Sequence, residues 1–179
     1  TVNAIRESRL CVVVLSAHQT LSTVDMALIR MISNINARDV IIFVNRIDEL
    51  GDPVRETGEI RKSITATLKA LDGPTDAEII FGSAHWASHA LSGAIEGMGE
   101  ASGEALVQWA EENLTEELAE LSLEKTIWEM SGVPALCKAI SARVDQGEGA
   151  EFTDRIARSA RNLANGLAAT RNVVSRRVK

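Results

Sequence analysis

Asn45, Arg46 and Asp48 follow directly on an unbroken apolar run, Val40 to Val44, and their types and spacing suit the reading of a nucleobase. An Asp carboxylate can accept two hydrogen bonds side by side, and guanine offers a matching donor pair at N1 and the exocyclic N2. Adenine presents an acceptor at N1 and nothing at C2, so Asp48 would discriminate by rejection as well as by attraction. The Asn45 amide can tie the loop together and reach the far edge of the base, while the Arg46 guanidinium can lie across its face. A polar turn closing a buried strand would also account for an Asn-x-x-Asp taken alone.

Stepping outward, the elements that carry these residues are predicted by pattern. Val40 to Val44 is β-branched and aromatic on both faces, which predicts a strand covered by helices on two sides, as in a parallel sheet. Leu10 to Ala17 is predicted to be a second buried strand. Ser22 is placed to cap a helix from about Thr23 to Asn36, with Met26, Ile29, Ile32 and Ile35 inward. After Gly51-Asp52-Pro53 a helix is expected to about Leu71, with Ile60, Ile64, Leu68 and Leu71 inward, stopped by Asp72-Gly73-Pro74. Ala77 to Phe81 forms a third β-rich run. Strands alternating with helices at this spacing predict right-handed crossovers and a parallel sheet, whose ligands bind just past the carboxyl ends of the strands.

Asn45-Arg46-Ile47-Asp48 resembles the Asn-Lys-x-Asp guanine-specificity motif of P-loop GTPases, with Arg in the Lys position. Ser83-Ala84-His85, at the end of the third strand, resembles the Ser-Ala-Lys segment of the same family, in which a backbone N–H beside a small residue approaches the guanine O6. His in the third place leaves that backbone role intact. Arg for Lys is not neutral, because the family's Lys also reaches back to the phosphate loop. Cys11 to Ser22 followed by VIIFVNRIDEL looks more specifically like dynamin-like bacterial GTPases, over about Leu10 to Ala84 and loosely over Val133 to Val144. The resemblance implies an α/β, three-layer P-loop GTPase fold with a parallel sheet, a helical insertion and a C-terminal helix. It implies GTP or GDP as ligand, bound at the base by Asn45, Arg46, Asp48, Ser83, Ala84 and His85.

The phosphate half of such a site is not among these residues. A P-loop holds phosphates with backbone N–H groups and Lys, and magnesium with a Ser or Thr hydroxyl. Gly58 to Ser63 only imitates one, since Gly58 is not adjacent to Lys62 and the segment falls within a predicted helix. In the family's order the P-loop and the second-switch Asp-x-x-Gly precede Leu10, and neither stands there. The chain is therefore expected to be a fragment of a longer GTPase, with no catalytic or metal-binding residue of its own and no useful hydrolysis; Mg2+ is expected only in the intact parent.

Trp86 to Ser131 is expected to be a helical insertion. It should hold a short helix, a Gly-rich loop, and helices from about Glu104 to Asn113 and Thr115 to Met130, with Leu118, Leu121 and Ile127 packing. Gly132 and Pro134 punctuate the start of the last helix of the nucleotide domain, which would span residues 1–146. Residues 147–179 read as a hinge and the start of a helical stalk, with Ile156, Ala160, Leu163, Leu167, Thr170 and Val174 as its seam.

Residues 151–179 carry seven Lys or Arg against two Asp or Glu, whereas residues 1–150 carry twelve against twenty-three. An exposed helix face accounts for the basic stretch, with a membrane surface as the other reading. Three Trp, three Phe and no Tyr leave little stacking surface for single-stranded nucleic acid, so no nucleic-acid partner is expected. The resemblance adds a homo-oligomer formed through the helical region. No apolar stretch approaches the roughly 20 residues that span a bilayer, and the expected location is the cytoplasm, membrane-associated in the parent. Cys11 and Cys137 are expected as core thiols, and His85 and His89, four apart, lack a third metal ligand nearby. His18, just past the first strand, should face the nucleotide side. Three readings stay open: a dynamin-like GTPase fragment, a degenerate GTPase-like scaffold without hydrolysis, and an unrelated α/β domain in which Asn45 and Asp48 close a loop.

Overall fold

The apolar runs form a parallel sheet whose carboxyl ends align. In the computed structural model, which describes residues 10–18, 22, 25, 27, 39–70, 73–146, 157, 160 and 161, β1 is Leu10–Ser16, β2 Asp39–Asn45 and β3 Glu78–Phe81. The order is β1-β2-β3 with both pairs parallel. Ser16 pairs with Asn45, and Val44 with Phe81, so the polar residues that end each strand emerge along one rim of the sheet.

Between and after the strands come α1 (Pro53–Ala70), α2 (Ala84–Ser92), α3 (Glu100–Asn113), α4 (Glu116–Ala119), α5 (Leu123–Met130) and α6 (Val133–Gln146). Alternation along β2 assigns its side chains to two cores. Val40, Ile42 and Val44 join Val13 and Leu15 of β1 on one face, covered by Ile64 and Leu68 of α1, Trp86 and Ala90 of α2, Ala105 of α3 and Ile127 of α5. Ile41 and Phe43 pack on the other face with Ile80 and with Val133, Leu136, Ala139 and Ile140 of α6. Helices on both faces of a parallel sheet are an α/β architecture. Each fully buried Ile or Leu contributes roughly 1.5–3 kcal/mol, so β2, with Val40 to Val44 all buried, anchors the molecule.

Several expectations on individual elements are corrected. β1 is buried on one face only: Val14 is 61% exposed and Val12 is exposed beside it, because α6 covers the β2 and β3 part of that face. Helix α3 begins at Glu100, four residues earlier than expected, with Gly99 as its cap residue. The single helix expected from Thr115 to Met130 is two. Thr115 caps α4, the chain breaks over Glu120 to Ser122, and Ser122 O accepts from Thr126 N–H to start α5. Leu121 falls in that break and is exposed rather than packed. Cys137 is exposed on α6, while Cys11 is partly buried.

Ser22 does cap as expected: its N–H and hydroxyl meet the Asp25 carboxylate at 3.0 and 2.7 Å, and its Oγ accepts from Asp25 N–H at 3.1 Å. The inward stripe Met26, Ile29, Ile32 and Ile35, Leu71, and the seam Ile156, Leu163, Leu167, Thr170 and Val174 lie outside the described residues. The chain divides into two compact units, Thr1–Ile140 and Ser141–Lys179. The first contains the sheet and everything described below. Among the described residues, no helix is long and apolar enough to cross a membrane.

Candidate functional site

The rim of the sheet is stitched by backbone and side-chain bonds between segments far apart in sequence. Gly82 N–H donates to Val44 O at 3.0 Å and Ile47 N–H to Gly82 O at 3.3 Å, extending the β2–β3 pairing into the two polar loops. Asn45, the last residue of β2, then accepts a 2.9 Å hydrogen bond on Oδ1 from the Ala84 N–H. Ser83 is fully buried and structural: its Oγ accepts from Trp86 N–H at 3.1 Å as the cap of α2, and its N–H donates to Ser131 O at 2.9 Å.

Past Asn45 the chain turns sharply. Arg46 adopts a left-handed conformation at φ 73° and ψ 34°, which costs a non-glycine residue roughly 1–2 kcal/mol. The turn drops Ile47 into the core and opens a 3-10 turn over Ile47–Glu49. Arg46 Nε and Nη2 both donate to Glu49 Oε1, at 2.8 and 2.6 Å, and Glu49 Oε2 lies 3.2 Å from His18 Nε2. These three side chains are about half exposed, so the cluster shapes the rim without contributing much stability.

Asp48 differs from all of them. It is 7% exposed, and its Oδ1 is buried with no hydrogen-bond partner. A carboxylate that merely closed a loop would accept backbone N–H groups, as the Asp52 carboxylate does from Arg55 N–H at 3.0 Å. Asp48 instead lines a cleft of about 660 Å³, one wall of which is drawn from Asn45, Arg46, Glu49 and His85 and a second from the chain segment Met98 to Ser102.

The second wall was not legible as part of a site; its only sequence signal is the Gly99 that precedes α3. It is tied to the first by two aromatic residues of α2. His85 Nε2 donates to Met98 O at 3.1 Å, and the Trp86 indole N–H reaches Ser102 Oγ at 3.0 Å and Ser102 O at 3.2 Å. His89 Nδ1 donates to Ala94 O at 2.7 Å, with its ring 4.5 Å from that of His85. Both imidazoles thereby hold the Ala94 to Met98 loop. Among the described residues no three His, Cys, Asp or Glu side chains are grouped to hold a metal ion.

The arrangement brings Asn45, Arg46, Asp48 and His85 to one cleft, leaves Ser83 behind it as a cap, and commits the Ala84 N–H to Asn45. Chemically it offers a carboxylate with an unmet acceptor, a guanidinium and an imidazole at one cleft. Compared with known proteins, the chain matches no family model and no curated protein.

Proposed function

We propose that this chain is the base-selecting part of a guanine-nucleotide-binding domain, and that the parent it belongs to is a dynamin-like GTPase. The observation that carries the reading is Asp48 itself, which lines a cleft at the carboxyl rim of a parallel sheet and keeps a buried Oδ1 without a hydrogen-bond partner. Leaving such an oxygen without a donor costs about 1–3 kcal/mol, which a ligand with adjacent N–H groups would return on binding. Guanine N1–H and N2–H are such a pair. Asn45 supports the loop through Ala84, and Arg46, steadied by Glu49, flanks the opening where it can stack on the ring. Phosphates, Mg2+ and the attacking water would be held by a P-loop and switch segments outside these residues.

The test is to titrate the chain with guanosine, inosine, adenosine and xanthosine, following amide shifts by NMR. Guanosine should bind best; inosine, lacking N2, should bind about three- to tenfold more weakly, as expected for one lost hydrogen bond, and adenosine more weakly still. Asp48→Asn should shift preference toward xanthosine, whose 2-oxo group can accept from the new amide. Equal binding of guanosine and adenosine, or an unchanged order in Asp48→Asn, would remove Asp48 from this role.

A second reading has a specific observation in its favour. The Ala84 N–H and the Arg46 guanidinium are both engaged within the protein, as in a degenerate scaffold that keeps the fold and has given up the nucleotide. Absence of binding by every nucleoside would favour it.

A further inference from the structure

Resting on the guanine reading, we infer that the second wall of the cleft, the amino end of α3, reads the acceptor edge of the base, O6 and N7, while Asp48 takes its donor edge. The Ala84 N–H, expected to meet O6, is occupied by Asn45 Oδ1 at 2.9 Å. The Asn45 Nδ2 is left able to reach N7, but O6 has lost its expected donor and needs one elsewhere.

Helix α3 has fourteen residues and begins without a side-chain cap, since Gly99 supplies none. Its first satisfied amide is Gly103 N–H, bonded to Gly99 O at 3.0 Å. Among the described residues the N–H groups of Glu100, Ala101 and Ser102 have no hydrogen-bond acceptor, as the first turn of any helix leaves them unless something caps it. All three residues line the cleft.

Asp48 supplies the second, independent observation. It lines the same cleft, and its unpartnered Oδ1 shows that it does not itself cap α3, although α3 packs on the 3-10 turn that carries it. One cleft is thus lined both by Asp48, with an unmet acceptor, and by three residues with unmet N–H donors.

A ligand spanning this opening must donate toward Asp48 and accept toward α3. Free phosphate only accepts at most of its oxygens and would meet Asp48 as a like charge. Adenine carries an acceptor at N1 and a donor at N6, the reverse of what each wall requires. Guanine has N1–H and N2–H on one edge and O6 and N7 on the adjoining one. Trp86 holds the α3 wall in place through Ser102, so the second wall comes ready-formed from the 86–131 segment.

The experiment compares guanosine with 6-thioguanosine and 7-deazaguanosine on the 15N-labelled chain. Both analogues keep the donor edge and weaken or delete one acceptor. The amide protons of Glu100, Ala101 and Ser102 should move downfield with guanosine, and each analogue should bind about three- to tenfold more weakly, as for one hydrogen bond. Glu100→Pro and Ala101→Pro remove one N–H each from a first turn that tolerates proline. They should weaken guanosine by a similar factor and shrink the penalty on the analogues.

Should guanosine bind and be lost in Asp48→Ala, while the three amides stay unmoved and the analogues bind as guanosine does, the α3 inference fails and the base reading stands. If guanosine does not bind the unmodified chain, the base reading fails and the inference with it. The amide shifts need no variant, so poor folding of a proline substitution leaves the test intact.

Discussion

In the role proposed for Asp48, stability and binding pull in opposite directions. A buried carboxylate oxygen without a donor weakens the ligand-free protein, whereas removing it weakens only the complex. Asp48→Ala should therefore raise the unfolding free energy of the ligand-free chain by about 1–3 kcal/mol, read by urea titration, and abolish stabilisation by guanosine. A loss of stability instead would mean that the carboxylate holds the loop. Arg46 carries a related strain in its left-handed backbone. Its spacing from Asp48 was evident in the sequence, but its conformation was not, because a positive φ at a non-glycine residue is imposed by the elements on either side.

At the level of elements, the rim depends on one close approach. Gly82, at the end of β3, and Gly132, between α5 and α6, pack against each other's backbones, and a Cβ on either would overlap the neighbouring strand or corner. Gly132 also has φ 72°. This approach allows Ser131 O to accept the Ser83 N–H and so orients the start of α2. Gly132→Ala should cost at least about 2 kcal/mol, combining overlap with backbone strain, and should weaken guanosine binding with it. Gly58, inside α1 with nothing near its Cβ position, is the contrasting site. Gly58→Ala should stabilise by about 0.5–1 kcal/mol and leave binding unchanged. Both effects are readable from thermal unfolding.

At the scale of the whole molecule, the described cleft joins the sheet rim to the 86–131 segment, whose Trp86, Ala90, Met98, Ala105 and Ile127 belong to the same core as β1 and β2. That segment is part of the site's frame and does not stand apart from it. The charge asymmetry is also a property of the whole chain, with the acidic excess over residues 1–150 and the basic one over residues 151–179. In the proposed base-selecting role, and with no P-loop in its sequence, the chain should show no GTP turnover above the uncatalysed rate in a phosphate-release assay. Turnover that disappears in Asp48→Ala would place phosphate chemistry within these residues.

What the sequence determined by itself was local or periodic. Val40 to Val44 reads as a doubly buried strand because every position is apolar, α1 follows from the spacing of Ile60, Ile64 and Leu68, and the alternation of strands and helices leads to a parallel sheet with polar residues at one rim. Asn45 and Asp48 stood out as candidates from their types, their spacing at a strand end and their resemblance to a guanine-specificity motif. Tertiary structure decided the rest: that Asn45 takes the Ala84 N–H 39 positions away, that Asp48 Oδ1 is left without a donor, and that the uncapped end of α3 lines the same cleft. Whether a polar atom is satisfied depends on every segment that comes near it, and those approaches are set by packing between distant elements, where sequence spacing carries no information.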